Sequence, residues 1–436
     1  MRTLRLLLAL LVSFAVSGSA RAFTPAEIDA AADVARDIDI ISVIADDIYL
    51  GRNNDTPESA AIQAVLIDAL SLVSDGLNSA ETGDDAYRQA FSTTATGTNL
   101  LGVIPGTDPN EYVMVGAHYD HLGSFGPDIF NGATDDASGT AIVLAVGAAI
   151  QALPTPPRRS VILALWDAEE DGLVGSRAYA DSPLVPLAKT VAYVNFDIQG
   201  ANLSPSVRNI SFAIGAESGG TALQSLVEDA VAQESVDTRL LSRLFGQDRS
   251  DHVNFMDRGV PSVFFSDATG PCYHTPGDDI TVVDLEKLRE QSQIAFRLVV
   301  ELAETLTPPP FVPTVLLAGT YQDAVVISAI LNGAIADLDL FSPVEQASLL
   351  AAQADAQTVV DAGEGAFDFA ALTTIGGVAL TVLAAAATLE CDGFLDSPIP
   401  VLPSFGPLML ALLLAAGGYV ILRRVTQKRL AGTPQL

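Results

Sequence analysis

Two apolar runs that stop abruptly at acids and imidazoles do most to restrict what this chain can become. The first, Tyr112-Val-Met-Val-Gly-Ala117, ends in His118-Tyr-Asp120-His121, and the second, Val161-Ile-Leu-Ala-Leu-Trp166, ends in Asp167-Ala-Glu169-Glu170. Short apolar runs of this kind read as strands covered on both faces. Ending such a strand in charge costs on the order of several kcal/mol unless a cation or a partner compensates. Between the runs lies a Gly-rich turn, Gly132-Ala-Thr-Asp135-Asp136-Ala-Ser138-Gly139, followed by an Ala/Val-rich helix from Thr140 to Leu153. The carboxylates therefore fall where strand gives way to helix.

The same alternation continues on both sides. Residues Phe23 to Ser92 read as mostly helical, with Thr24-Pro25-Ala26-Glu27 as a helix start. Strand-like segments follow at Ala90 to Ser92, Asn99 to Ile104 and Tyr112 to Ala117, with turn material from Pro105 to Asn110. Beyond Leu153 the pattern predicts strands at Ser160–Trp166, Thr190–Phe196, Asn209–Ile214 and Ser262–Ser266. Helices are predicted from Gly175 onward, at Gly219–Ala232 and at Leu285–Leu306. The expected fold class is α/β: a mixed, largely parallel central sheet with helices on both faces, whose ligands gather at the carboxyl ends of the strands.

The ends carry addresses rather than core. Arg2 and Arg5 precede an apolar run that closes at Ala20-Arg21-Ala22, the pattern of a signal peptide over residues 1–22. A catalytic body over 23–310 and an Ala-rich, mostly helical extension over 311–396 are expected next. Residues 397–436 hold a Pro motif, an uncharged run from Ser404 to Leu422 and a basic cluster at Arg423, Arg424, Lys428 and Arg429. That run is long enough to span a bilayer with its basic flank on the cytoplasmic side. The segment resembles the carboxyl-terminal sorting segments of Gram-negative bacteria, so the expected location is the periplasmic or cell-surface side, anchored or released after processing. The uncharged stretch Phe369 to Leu389 would put body and tail on the same side if it also crossed, and is read as a buried helix or hairpin. A net charge of −31 leaves no basic surface for nucleic acid. The two cysteines, Cys272 beside a candidate ligand and Cys391 in the distal segment, give no disulfide framework; they could pair with each other in an oxidising compartment, and the sequence leaves that open.

All four histidines, His118, His121, His252 and His274, lie near these junctions. A single such histidine would more often be structural, and adjacent acids are usually a solvated pair. Here the acids follow buried strands. In an extended chain His118 and Asp120 point to one side, so the ring can bind a metal while the carboxylate fixes its orientation. Imidazoles and carboxylates without a thiolate cluster suit zinc. A shared carboxylate would hold two ions about 3.5–4 Å apart, as in hydrolytic sites.

These motifs, together with Asp197, Arg249-Ser250-Asp251-His252 and Tyr273-His274-Thr275-Pro276-Gly-Asp278, resemble those of the co-catalytic di-zinc aminopeptidases, the bacterial leucyl aminopeptidase and aminopeptidase Y group, whose relatives include glutamate carboxypeptidase. The resemblance spans roughly Ile41 to Leu306. It implies two zincs per chain, bridged by Asp135, with His118 and Asp197 completing one and Glu170 and His274 the other. It also implies Glu169 as general base to a metal-bridging hydroxide, Asp120 behind the first ligand, Tyr273 on the oxyanion, and a cis peptide after Asp135. His121 and His252 are placed behind the ligands or in structural roles, and Thr134 stands where an acid is common. The implied substrates are peptide or protein amino termini. Alternatives on the same scaffold are a glutaminyl cyclase and a carboxypeptidase or dipeptidase, the latter needing Arg177, Arg243, Arg249 or Arg258 for a substrate carboxylate. A non-catalytic surface binding protein is the alternative of another class.

Overall fold

The structure is a computed structural model that describes residues 23–36, 39–313 and 318–395. The signal-peptide and sorting segments expected at 1–22 and 397–436 lie outside the described residues.

Eleven strands are described: β1 (Asp75–Gly76), β2 (Arg88–Ser92), β3 (Thr96–Ile104), β4 (Asp108–His118), β5 (Gly123–Phe125), β6 (Asp128–Phe130), β7 (Arg159–Trp166), β8 (Thr190–Phe196), β9 (Ile210–Ile214), β10 (Asp237–Leu241) and β11 (Ser262–Ser266). The α-helices are α1 (Pro25–Ala35), α2 (Ile41–Ile44), α3 (Pro57–Val73), α4 (Ser138–Ala152), α5 (Val174–Asp181), α6 (Gly220–Val231), α7 (His252–Met256), α8 (Leu285–Glu304), α9 (Tyr321–Ala334), α10 (Pro343–Ala362) and α11 (Phe369–Ala386). Nine strands form one mixed sheet in the order β1-β3-β7-β4-β8-β11-β9-β10, with β2 also pairing β3, and β5 and β6 form a separate hairpin. The centre, β7-β4-β8-β11, is parallel. β3 and β9 flank it in the antiparallel sense.

Alternation along the central strands supplies two cores at once. Val113, Val115 and Ala117 of β4, with Val161, Leu163 and Leu165 of β7, face the larger core packed under α1, α3, α4 and α8. Met114, Ile162, Ala164 and Trp166 face the opposite side, where Trp166, Tyr179, Tyr193 and Phe255 cluster beneath α5 and α7. Because both faces are covered, the strands are apolar throughout rather than alternating.

Most expected elements are present, shifted by a residue or two. The stretch from Phe23 to Ser92 is less uniformly helical than expected, because β1 and a five-residue β2 add to the edge beyond β3. β4 starts inside the expected turn, at Asp108, with a register shift before Tyr112. β10, the β5–β6 hairpin and α7 were not anticipated.

The extension past Leu306 forms three helices that pack on the β9–β10 edge. Ile327, Ile330 and Leu331 of α9 join Phe212, Ile214, Leu241 and Phe264 in a separate apolar cluster. Two acids fix it there. Asp323 caps α9 through Thr320 and accepts the N–H and hydroxyl of Ser242, at 2.8 and 2.7 Å. Asp337 accepts Ser204 Oγ at 2.6 Å and Ser206 N at 2.8 Å.

One expectation is corrected in this region and one open question is answered. α11 is one continuous helix, but only 28% of it is buried, because Leu372, Ile375 and Val378 face α9 and α10 while Phe369 and Leu380 face outward. It is long and apolar enough to cross a membrane, as is the helix at Ala133–Ala152, which is 94% buried in the core. Cys272 and Cys391 are joined in a disulfide. The fold returns the end of α11 to the loop before His274, a proximity that their separation in sequence concealed.

Candidate active site

Three strand ends and two loops converge at the carboxyl edge of the parallel sheet. His118 closes β4, Glu169 and Glu170 follow β7, Asp197 follows β8, Asp135 lies in the turn before α4, and His274 lies beyond β11. His118 Nε2 is 3.2 Å from Asp135 Oδ1 and 3.6 Å from Asp197 Oδ1. On the other side of Asp135, Oδ2 is 3.3 Å from His274 Nε2, which is 3.2 Å from Glu170 Oε2. Asp135 thus stands between two groups of donors. His118, Asp135 and Asp197 form one set with ligand atoms within 4.8 Å of one another, and His121, Asp135 and Glu170 form another. His121, placed behind the ligands by the sequence reading, therefore enters the second group, with Nδ1 2.7 Å from Glu170 Oε1.

The backbone beneath these side chains is held from several directions. The Asp135-Asp136 peptide is cis. Asp136 turns away from the cleft and accepts His118 N at 3.2 Å and Gly139 N at 2.9 Å, joining the end of β4 to the start of α4. A Cβ at Gly139 would lie 2.5 Å from that carboxylate, which accounts for glycine there. Asp278 accepts Thr134 N, Thr134 Oγ1 and Asp135 N at 2.9, 2.9 and 3.1 Å, and so links the His274 loop to the Asp135 turn. Beneath the turn is Arg52, fully buried, whose guanidinium donates to the carbonyls of Tyr119 and Gly132 at 2.7 Å and also to that of Asn131. Neither Arg52 nor the Thr134–Asp278 pairing was assigned a role from the sequence. Thr134, standing where an acid is common, was the visible trace of the second. Ala168, Ile198 and His274 adopt left-handed φ of 55°, 63° and 55°, each at or beside a site group. Such conformations cost about 1–3 kcal/mol each and persist where surrounding structure enforces them.

The electrostatics are those of a carboxylate-rich pocket short of cations. Burial pushes Glu169 well above the usual carboxylate range, opposed by His118. Burial likewise raises Asp251 to about 7, against His118, and Asp278 to about 6, against its bonds with Thr134. Burial alone would lower His118, yet Glu169, Asp120, Asp135 and Asp197 outweigh it and hold the ring well above 6.5. His274 is raised to about 10 in the same way, its burial outweighed by Asp135 and Glu170. His121 Nδ1, Glu170 Oε1 and His274 Nε2 are buried without a hydrogen bond, despite the imidazole nitrogens lying 2.7 and 3.2 Å from the Glu170 carboxylate. Buried polar atoms that converge but do not align for one another fit a bound cation. The donor set, imidazole and carboxylate without thiolate, suits zinc among divalent metals.

The cleft in front of these groups is lined by Ile198, Phe245, Tyr273 and Leu383 as well as Asp135, Glu169, Glu170, Asp197 and His274. Tyr273 stacks on His274 with ring centroids 3.8 Å apart, and its hydroxyl accepts Arg249 Nη2 at 3.2 Å. Of the four arginines considered for a substrate carboxylate, only Arg249 reaches the cleft. Arg243 is held by Asp248 and Asp257, Arg258 by Asp181, and Arg177 by the Gly172 carbonyl.

Residues 99–299 match the family profile described as Peptidase family M28. Among curated proteins, the chain is 29% identical over 244 residues to leupeptin-inactivating enzyme 1 of Streptomyces exfoliatus, covering 51% of this chain and 52% of that one. It is 34% identical over 198 residues to a probable glutamate carboxypeptidase of Arabidopsis thaliana, covering 42% of this chain and 28% of that one. It is 26% identical over 226 residues to aminopeptidase YwaD of Bacillus subtilis, covering 50% and 47%. The chain thus spans about half, or less, of the length of these relatives. Among solved structures, the LapA aminopeptidase of Legionella pneumophila superposes with TM-score 0.52 at 20% identity, covering 66% of this chain and 77% of that one. LapB of the same organism gives 0.53 at 18%, covering 65% and 77%. These two likenesses concern the fold.

Proposed function

The chain belongs to Peptidase family M28 through residues 99–299, and from that membership we propose that it is a di-zinc aminopeptidase that hydrolyses the bond after a free amino-terminal residue. The observation that carries this reading is the position of Asp135, one oxygen 3.2 Å from His118 and the other 3.3 Å from His274. His118, Asp135 and Asp197 would hold one zinc, and Asp135, Glu170 and His274 the other, with His121 beside Glu170. When bound, the metals supply Lewis acidity toward water and the scissile carbonyl. Glu169 takes the proton from the attacking water and returns it to the departing amine nitrogen, a role suited by its raised proton affinity. Arg249 donates to the Tyr273 oxygen, which leaves the phenolic hydrogen free to stabilise the developing oxyanion. Burial raises the Tyr273 hydroxyl above its ordinary value, keeping that hydrogen in place. The surplus of carboxylates favours the cationic amino terminus of a peptide over its carboxylate end.

One observation favours a carboxypeptidase or dipeptidase instead: the Arg249 guanidinium lies in the cleft with no carboxylate partner among the described residues. The full chain, reloaded with zinc, separates the readings. Two zincs by elemental mass spectrometry, cleavage of leucyl-4-nitroanilide that chelator abolishes, and no cleavage of amino-acetylated peptides are the expected results. Release of carboxyl-terminal residues from acetylated peptides would establish the second reading. Export to the cell surface and retention through residues 397–436 are also part of the proposal, resting on the terminal sequence signals. The Cys272–Cys391 bridge supports an oxidising compartment. Fractionation of cells carrying a tagged chain tests it; a cytoplasmic chain would refute it.

A further inference from the structure

His274 is the most exposed of the candidate zinc ligands. Its side chain is 33% exposed, against 1% for His118, 4% for Asp135, 9% for Asp197 and 11% for Glu170. It also stands in a stretch without regular structure, between the end of β11 at Ser266 and Ile280. Within that stretch Thr275 donates through its N–H and its hydroxyl to the Cys272 carbonyl, at 3.1 and 2.9 Å, which shapes the turn around His274. Beyond the turn, Asp278 anchors the chain to Thr134 and Asp135. These bonds set the form of the turn and fix one of its ends.

The other end is held from outside the segment matched to the peptidase family. The chain leaving α11 is bonded through Cys391 to Cys272, just ahead of Tyr273 and His274. The fit extends to both sides of that bond. A Cβ on Gly277 would lie 2.8 Å from Cys391 Sγ, and one on Gly393 would lie 2.6 Å from the Val282 carbonyl oxygen, so the strap rests directly on the loop it holds. The carbonyl of Gly393 also accepts Asn202 Nδ2 at 2.9 Å, which joins the strap to the loop after Asp197. The strap has a firm base, because Asp323 and Asp337 tie the extension to Ser242 and Ser204.

We propose that this strap is a positioning clamp for His274, and that the chain's affinity for its second zinc depends on it. The proposal rests on the di-zinc reading, and gives the helical extension a task within it. Cys272, Cys391 and Asn202 are positioning residues: they act by holding the turn that carries His274 and Tyr273. A ligand on an unheld turn must be ordered when the ion binds, and that loss of backbone freedom weakens binding. The Cys272–Cys391 bond imposes the order in advance. The zinc assigned to His118 and Asp197 takes these ligands from the ends of β4 and β8, away from the disulfide, so its affinity should not change.

The test is a titration of zinc into the metal-free full chain in competition with a chromophoric chelator, which reads the two affinities separately. In Cys272→Ser/Cys391→Ser, which leaves no thiol to bind metal, one zinc should be held roughly 10–100-fold more weakly while the other stays within about twofold. Activity on leucyl-4-nitroanilide should fall at limiting zinc and recover as zinc is raised. In a His274→Ala background, the same pair of serines should leave the remaining zinc unaffected, which identifies the weakened site. Should the serine pair fail to fold, Asn202→Ala, which keeps the disulfide and removes the contact with Gly393, should weaken the same zinc about two- to tenfold. Unchanged affinities, or equal weakening of both zincs with a lower unfolding free energy, would overturn the clamp alone and leave the bond a purely structural one. A single zinc in the unaltered chain would overturn the di-zinc reading and the clamp with it.

Discussion

Asp120 joins the two halves of the candidate site, its carboxylate accepting the main-chain N–H of Glu169 at 3.0 Å and that of Glu170 at 3.3 Å. The sequence pattern suggested that this carboxylate would orient the His118 ring. In the structure its Oδ1 is 3.7 Å from His118 Nδ1, and the nearer group is Asp120's own carbonyl, at 3.1 Å. One residue thus sets the ring from its backbone and the two glutamates from its side chain. Asp120→Ala should lower kcat/KM by about 10–100-fold and weaken zinc retention by a comparable factor. Steady-state kinetics with metal analysis after dialysis read both effects.

Glu169→Gln keeps the size of the side chain and removes its ability to take a proton. Turnover should fall by about 10²–10⁴-fold while two zincs remain bound. A variant with near-normal kcat would rule Glu169 out as the base.

His121 and His274 both approach Glu170, at 2.7 and 3.2 Å. With His274 as the ligand, His274→Ala should leave one zinc per chain. His121→Ala should keep two and lose about 10–100-fold in affinity for the second. The opposite pattern in elemental analysis would exchange their roles.

His252 is buried, stacked on Phe264 at 4.6 Å, and neither ring nitrogen finds a partner. Burial, reinforced by Arg243, lowers it to about 3. The unfolded chain, with an ordinary value near 6.5, takes up the proton first, so this residue costs stability as pH falls from about 6.5 toward 3, with a slope approaching about 1.4 kcal/mol per pH unit. His252→Phe should flatten the fall in urea-unfolding free energy between pH 7 and 4 by part of that slope. Parallel curves for the two proteins would refute the assignment.

Lys287 lies inside the protein, 3.2 Å from Asp267 and donating to the carbonyls of Ala201 and Ile210 at 2.6 and 2.7 Å. Burial lowers the lysine and raises the aspartate. Lys287→Met leaves Asp267 without its cation and should cost about 3–5 kcal/mol in denaturant unfolding. Adding Asp267→Asn should recover part of that loss; no recovery would mean the two are not coupled.

How much of this was legible beforehand follows the reach of each signal along the chain. His118, Glu169, Glu170 and Asp197 stand at or just after the ends of apolar runs, a local pattern of buried strand followed by charge, and Asp135 stands in the Gly-rich turn between two of those runs. The central strands show the same way, because a chain covered on both faces is apolar at every position. Arg52 is different. Its partners are main-chain carbonyls some 67 to 83 residues away, and a carbonyl leaves no trace in residue identity. Asp278 is recognisable as part of a motif, but its bond to Thr134 crosses 144 residues. β10 is short and half polar and is stabilised by pairing with β9. The acids Asp323 and Asp337 give no local signal, since their partners are Ser242, Ser204 and Ser206, in another part of the chain.

The bond between Cys272 and Cys391 closes a ring of chain that contains α8 and the whole of the helical extension. A protease that cuts the connection between α8 and α9 would therefore release nothing. The two fragments would still travel together, the smaller one bearing Leu383 and hanging from the residue beside Tyr273, until a reductant parted them. Whatever the extension contributes to the cleft is thus protected against a single scission by a route independent of chain continuity.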